Sequence, residues 1–512
     1  MKTLRRLYTY LVVIISLEVV IWGLIRLART LTNPSLEGNA DSLAGALALI
    51  FVGLPIFLFH WRIAQRRAFE DEEERFCFIR ALFFYGIFLG TLVPVVQNIL
   101  AFLNRILIKA VNLPPYQTIF GGGQIWSDNL IAVFMNVLVG GYMFYQLQKD
   151  WDFSPPNENL ANILRLSRYI LLSYGLGLLI GGSHELIRYL FTFSDVVGQS
   201  APALMMNGLS LIIIGTPLWY FTWRNIQRSL ESPRERTALL RQLFLFLLSL
   251  LSLMGILIPL GMVLKTLLGF ALGDSLTIRA LLSEIGDPLA LALPLGGVWL
   301  YYSAGLRRTF TVEGVLKRAN LFRRLYYYIQ AAIGLTATLI GLQMLLRFLI
   351  DFSAQDTFLW GESLRGRLTA SLASLIVGVP LWILNWRKMQ VDSDQDGELG
   401  DRARRSLIRK TYLYLALFSG VIGTMISAGY VAFVLFKALL GQADPDFITR
   451  VLKTLSSLIL FGGILLAYHL YLLRKDNKRA HRFLEKLYKK FPVLMLTSQE
   501  GNLDSLLVLT FQ

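Results

Sequence analysis

One short signature recurs three times along this chain. It reads Gly53-Leu54-Pro55, Trp61-Arg62 and Gln65, then Gly215-Thr216-Pro217, Trp223-Arg224 and Gln227, then Gly378-Val379-Pro380, Trp386-Arg387 and Gln390. The Trp-to-Trp spacings are 162 and 163 residues. A fold built by copying is read one unit at a time. Each signature closes a long apolar run, so the copied unit belongs in a membrane.

Of the 512 residues, 55% are hydrophobic and 16% charged, and the mean hydropathy is +0.54. A bilayer core about 30 Å thick takes roughly 20 residues of helix. Runs of that length fall near 7–31, 43–63, 78–103, 128–149, 166–191, 203–225, 242–271, 288–306, 325–350, 368–388, 411–439 and 451–473. They are too long and too evenly apolar for barrel strands. The expected class is all-α transmembrane, with about twelve spans as six parallel two-helix hairpins. Grouped by period, these are three tandem four-span repeats at 1–160, 161–320 and 321–475. A basic amphipathic helix from Arg482 to Phe491 and a tail from Ser498 follow, within 476–512. Lys2, Arg5 and Arg6 resemble a signal-peptide start. The run behind them is too long for such a peptide, so it reads as a retained first span.

The formal charge of +16 is unevenly placed. Stretches after the even spans are basic, as in Arg62, Arg66 and Arg67, or Arg402, Arg404 and Arg405. The alternate loops hold acids such as Glu37, Asp41, Asp195, Asp274, Asp351, Asp356, Asp444 and Asp446. This asymmetry predicts cytoplasmic termini. The expected partners are the bilayer, with anionic lipids on the cytoplasmic side, and other membrane proteins; nucleic acid is not expected. Cys77 is the one cysteine, which excludes an internal disulfide or a thiolate metal cluster.

Within each period a half-period shows. Hairpins open on Arg and aromatics: Arg80-Ala81-Leu82-Phe83, Arg241-Gln242-Leu243-Phe244, Arg409-Lys410-Thr411-Tyr412. Even hairpins lack the signature and instead carry Gly140-Gly141, Gly296-Gly297 and Gly462-Gly463, followed by Tyr145, Tyr301 and Tyr468. Two-span copies enter the membrane in one orientation, so the repeats are parallel and a pseudo-threefold arrangement is a hypothesis.

The signature reads first as packing. Pro bends a helix, Gly admits a neighbour, Trp sits at the interface with its N–H toward water, and Arg reaches lipid phosphates. Arg26, Arg188 and Arg347 recur near the outer end of each odd first span. They read as snorkelling side chains, or as a ring that attracts an anion.

Non-repeated polar residues are more telling. Glu18 lies twelve residues past Arg6, about 18 Å along a helix and near the midplane. Gln97, Asn98 and Asn136 are its candidate company, or simple interhelical glue. His184, Glu185 and Arg188 share a helical face and read as an ion pair. The histidines are scattered, so no zinc or haem site is expected and the cofactor expectation is none. Asp287-Pro288 reads as a helix cap. Asp392, Asp394, Asp396, Gly397 and Glu398 match the start of a calcium loop, but its twelfth position is Ala403 where a bidentate Glu is needed, so a solvated linker is the competing reading. No nucleophile elbow, nucleotide loop or paired soluble carboxylates occur, so no enzyme is expected.

Arg405-Ser406-Leu407-Ile408-Arg409-Lys410-Thr411-Tyr412-Leu413-Tyr414, with the threefold Gly-x-Pro and Trp-Arg-x-x-Gln pattern, resembles an uncharacterised bacterial family of multi-pass membrane proteins, a tandem domain of unknown function. The likeness is best in the odd hairpins. It implies an integral membrane protein and transfers no activity. The expectation is a non-enzymatic scaffold or complex subunit of the bacterial inner membrane. The alternative is a transporter or channel with a central polar path.

Overall fold

The computed structural model describes residues 2–32, 39–121, 123–153, 158–192, 200–310, 316–354, 362–442 and 445–488. Glu37, Asp195, Asp356, Asp444 and the tail from Ser498 lie outside them. So do the last three residues of the expected amphipathic helix. No strand occurs among the described residues. Twelve helices are long and apolar enough to cross a membrane, so this is an all-α, multi-pass membrane protein.

We number these helices α1 (Lys2–Thr32), α2 (Asn39–Glu70), α3 (Phe78–Ala110), α4 (Trp126–Phe153), α5 (Glu158–Phe191), α6 (Ala201–Ser229), α7 (Leu239–Ala271), α8 (Ile278–Thr309), α9 (Leu316–Ser353), α10 (Glu362–Asp394), α11 (Leu407–Leu439) and α12. The last is composite: Phe447–Leu458, a π-helical stretch Ile459–Ala467, and Tyr468–Tyr488. Paired helices run antiparallel: Gly23 of α1 meets Ile50 of α2 while Gly53 of α2 meets Val19 of α1. Large apolar side chains such as Phe51, Phe59, Phe418 and Phe433 are exposed. On a protein in water such surfaces are rare and costly; against lipid they are the solvated state.

Two compact units divide the chain at residues 1–322 and 323–512. The first holds repeats 1 and 2. In repeat 1 the core joins Tyr10, Val13 and Leu17 of α1 to Phe57 and Trp61 of α2, Phe83 and Phe84 of α3, and Met143 and Leu147 of α4. Repeat 2 docks through α3, which packs on α5 and α6. Val96 and Leu100 of α3 meet Leu178 and Leu211 there. A buried polar knot fastens this seam: Asn104 Nδ2 donates to Asn207 Oδ1 at 2.8 Å and to Ser210 Oγ at 3.0 Å. Amide bonds of this kind hold spans together because lipid offers no competing partner. The second unit packs Tyr328 and Leu335 of α9, Trp386 and Met389 of α10, Tyr412 and Leu413 of α11, and Leu465 and Leu472 of α12.

The signature glycines sit where the odd hairpins close. A Cβ added to Gly53 would lie 2.9 Å from Val19 Cγ1, one on Gly215 2.9 Å from Leu178 Cβ, and one on Gly378 2.7 Å from the Thr338 backbone nitrogen. No side chain fits, so glycine sets the spacing of each pair. Pro55, Pro217 and Pro380 lie inside their helices.

The Asp287-Pro288 expectation is corrected. Both residues lie well inside α8, and Thr277 caps that helix, its hydroxyl accepting from the Ala280 N–H at 3.2 Å. Proline is tolerated in the interior of a span because neighbouring groups re-satisfy the freed carbonyl.

Candidate functional site

Arginine in the first turn of α3 fixes the end of repeat 1 where α1 and α3 begin. The Arg80 side chain is almost wholly buried. Its Nε donates to Asp150 Oδ2 at 2.8 Å, one Nη to the Tyr10 hydroxyl at 2.9 Å, and the other to Gln65 Oε1 at 3.0 Å. Each of the four helices α1 to α4 thus supplies one member. Repeat 3 rebuilds the same lock with the same residue types. Arg409 Nε donates to Asp476 Oδ2 at 2.5 Å, and its other nitrogens to the Tyr328 hydroxyl at 3.2 Å and Gln390 Oε1 at 2.6 Å. A buried guanidinium is tolerable only when a carboxylate and further acceptors surround it.

Repeat 2 keeps the arginine and loses the acid. Tyr142, Tyr301 and Tyr468 occupy matching places; eight residues on stand Asp150, Thr309 and Asp476. The Thr309 hydroxyl donates to the Leu306 carbonyl. Gln227 is exposed. Arg241 reaches the Arg236 carbonyl at 3.3 Å and has no carboxylate partner among the described residues.

The signature Trp corrects a second expectation. Its N–H points to a tyrosine of the even hairpin, not to water: Trp61 to Tyr142 at 3.1 Å, Trp223 to Tyr301 at 2.8 Å, and Trp386 to Tyr468 at 2.8 Å. Indole N–H groups buried in a bundle need an acceptor. In the first copy that acceptor is Tyr142 and not Tyr145, and both tyrosines are exposed. Arg62, Arg224 and Arg387 are exposed. Outside the locks, Arg6 Nε pairs with Glu74 Oε2 at 3.0 Å and Arg165 Nη2 with Glu235 Oε1 at 2.7 Å. Arg75 Nε and Arg404 Nη1 donate to the Ala68 and Ser393 carbonyls, both at 2.9 Å, near the ends of α2 and α10.

The expected intramembrane site does not assemble as one connected path. Glu18 is half-buried, lies beside Gly90 of α3, and interacts with the Trp22 indole one turn along. Gln97 is exposed. Asn98 Nδ2 donates to its own helix at Pro94, and its Oδ1 accepts from Asn129 at 3.1 Å. Asn136 Nδ2 donates to the Ala132 carbonyl. His184, Glu185 and Arg188 do cluster: His184 Nδ1 lies 3.4 Å and Arg188 Nη1 3.8 Å from Glu185 Oε1. Arg188 Nε also bonds Asp287 Oδ1 at 2.7 Å. The recurring outer arginines have different company. Arg26 bonds Ser42 at 3.2 Å, Arg188 bonds Asp287, and Arg347 lines a cleft with Arg450 and Lys453.

The calcium-loop acids diverge onto cations. Asp392 pairs with Arg323 at 3.0 Å, Asp394 with Lys475 at 3.0 Å and Arg479 at 2.6 Å, and Glu398 with Arg402. Asp396 precedes the short helix Gly397–Arg404, whose first residue Gly397 has φ +81°. Among the described residues no three His, Cys, Asp or Glu side chains converge as a metal site. Asp392, Asp394 and Glu398 are instead each paired with a guanidinium or ammonium.

Sequence reasoning missed the locks' tyrosines and acids. The signal was present: an Asp eight residues after the Trp-binding Tyr, in two copies of three.

The family described as Domain of unknown function (DUF5671) matches residues 6–137, 165–297 and 324–463. The chain belongs to this family. Each DUF5671 copy takes in helices from both an odd and an even hairpin, so the even hairpins are part of the family unit despite lacking the signature. No curated protein matches the chain. No solved structure matches it.

Proposed function

We propose that the protein is a non-enzymatic scaffold or complex subunit of a bacterial inner membrane. On this reading both termini are cytoplasmic, anionic lipid surrounds the basic end of the bundle, and other membrane proteins bind its apolar flanks. The observation behind the reading is the use made of buried and part-buried polar groups. Arg80 and Arg409 are each held by three partners on three other helices, and Asn104, Asn98 and Asn136 bond within or between spans. A carrier needs polar groups turned toward a solute path; Arg80, Arg409 and Asn104 are instead bonded across helices, and Asn136 is bonded to its own helix.

Affinity purification of the full chain from native membranes in mild detergent tests it. The reading expects a stoichiometric membrane-protein partner, and reconstituted vesicles without solute flux. A solitary chain, with a proteoliposome flux that Glu18→Gln abolishes, would replace it with the carrier reading.

A further inference from the structure

Repeat 3 keeps polar a slot that the sister repeats have closed. Four equivalent positions define it. In repeat 1 they are Leu17, Phe57, Phe83 and Met143, packed together in the core. In repeat 2 they are Leu176, Trp219, Phe244 and Tyr302, and the Trp219 N–H donates to the Tyr302 hydroxyl at 2.9 Å. In repeat 3 they are Leu335, Trp382, Tyr412 and His469. There the Trp382 Nε1, Tyr412 hydroxyl and His469 Nε2 atoms are buried without a hydrogen-bond partner. The Tyr412 hydroxyl lies near enough to the Trp382 indole to interact, but without hydrogen-bond geometry.

Trp382 and His469 border a cavity of about 160 Å³, lined also by Leu335, Ile464, Leu465 and Tyr468. Ile464 and Leu465 come from the π-helical stretch. Widened turns of this kind recur at functional sites. His469 is 1% exposed, and its Nδ1 lies 2.8 Å from the Leu465 carbonyl. A carbonyl only accepts, so Nδ1 holds the proton and Nε2 presents a lone pair. Trp382 Nε1 can only donate. One hydroxyl answers both, donating to His469 and accepting from Trp382. The remaining wall is aliphatic and aromatic, and an apolar cavity of roughly 150 Å³ takes a benzene-sized molecule.

We propose that this cavity binds a small apolar alcohol, a body of about one ring bearing a hydroxyl that bridges His469 Nε2 and Trp382 Nε1. The source is a free phenolic compound or the hydroxyl-bearing head of a membrane lipid. The proposal is independent of the scaffold reading.

The test titrates phenol and toluene into the full chain in nanodiscs and follows thermal unfolding. Phenol should give a saturable rise in Tm and bind about tenfold more tightly than toluene, the worth of roughly one hydrogen bond. His469→Tyr gives Trp382 the internal partner that Trp219 has, and should abolish the preference. Should that variant fail to fold, the same question is put by NMR. The chain then has His60, His184 and His481 replaced by Gln, and the His469 Nε2 resonance should shift with phenol and not with toluene. Toluene binding as well as phenol would mean selection by volume alone. An unmoved Nε2 resonance would mean the slot holds water only. Undiminished phenol preference in His469→Tyr would place binding elsewhere. Each of these three results overturns the proposal. Mass spectrometry of lipids retained by the wild-type chain and lost from His469→Tyr supports the proposal and names a lipid source; their absence beside saturable phenol binding supports it with a free compound.

Discussion

Arg80 and Arg409 are the residues on which each lock turns, and their energetics are asymmetric. Removing one member of a buried ion pair leaves the other charge without compensation, while removing both with an apolar replacement can be close to neutral. We expect Asp476→Ala to destabilise the chain by about 3–5 kcal/mol, measured by unfolding in detergent. Adding Arg409→Met to that variant should recover most of the loss. Arg241 offers the reverse case. Thr309→Asp should supply its missing carboxylate and stabilise repeat 2 by about 1 kcal/mol, since this arginine is only part-buried; a lower Tm would show that the matched position does not face Arg241. At this scale the sequence was half legible. Gln65 and Gln390 stood in the repeated signature, and Arg80 and Arg409 in the hairpin openings. Tyr10, Tyr328, Asp150 and Asp476 passed unnoticed, because a lock distributed over four helices has no local spacing to read.

Among the elements, the odd hairpins are set by contact between backbones. Gly215 meets Leu178 and the backbone of α5, and Gly378 meets the backbone of α9. Gly215→Leu should force α5 and α6 apart at about 1–3 kcal/mol, read as a fall in Tm, whereas the same change at Gly177, which has open space around it, should be nearly silent. The glycine of the Gly-x-Pro signature was legible as a packing position, since a Cβ at Gly53, Gly215 or Gly378 would run into the neighbouring span. The Trp reading was not correct, since a Trp facing water and a Trp bonded to a Tyr of another span look alike until the partner helix is placed. Similarly, the calcium-like run Asp392 to Glu398 obeys a linear pattern that the neighbouring Arg323, Lys475 and Arg479 divert.

The whole molecule is a membrane protein made of repeated four-helix DUF5671 units. Twelve spans and a threefold period were readable from hydropathy and from the spacing of the signature alone. The seam between repeats 1 and 2 was not, since Asn104 and Asn207 belong to different copies and lie 103 residues apart. Asn207→Ala removes one partner from a buried amide and should cost about 1–3 kcal/mol; limited proteolysis should then release repeat 1 from repeat 2 more readily than in the wild type.

All of this depends on hairpins that enter the bilayer in one orientation. Single cysteines in a Cys77→Ser chain measure that directly, by labelling with a membrane-impermeant maleimide from either face. Glu70→Cys, Glu231→Cys and Glu398→Cys, between hairpins, should label from the same side as the N-terminus. Tyr116→Cys, Asp274→Cys and Gln442→Cys, at hairpin tips, should label only from the other side. Labelling of any linker and tip from one shared face would contradict the repeated-hairpin architecture.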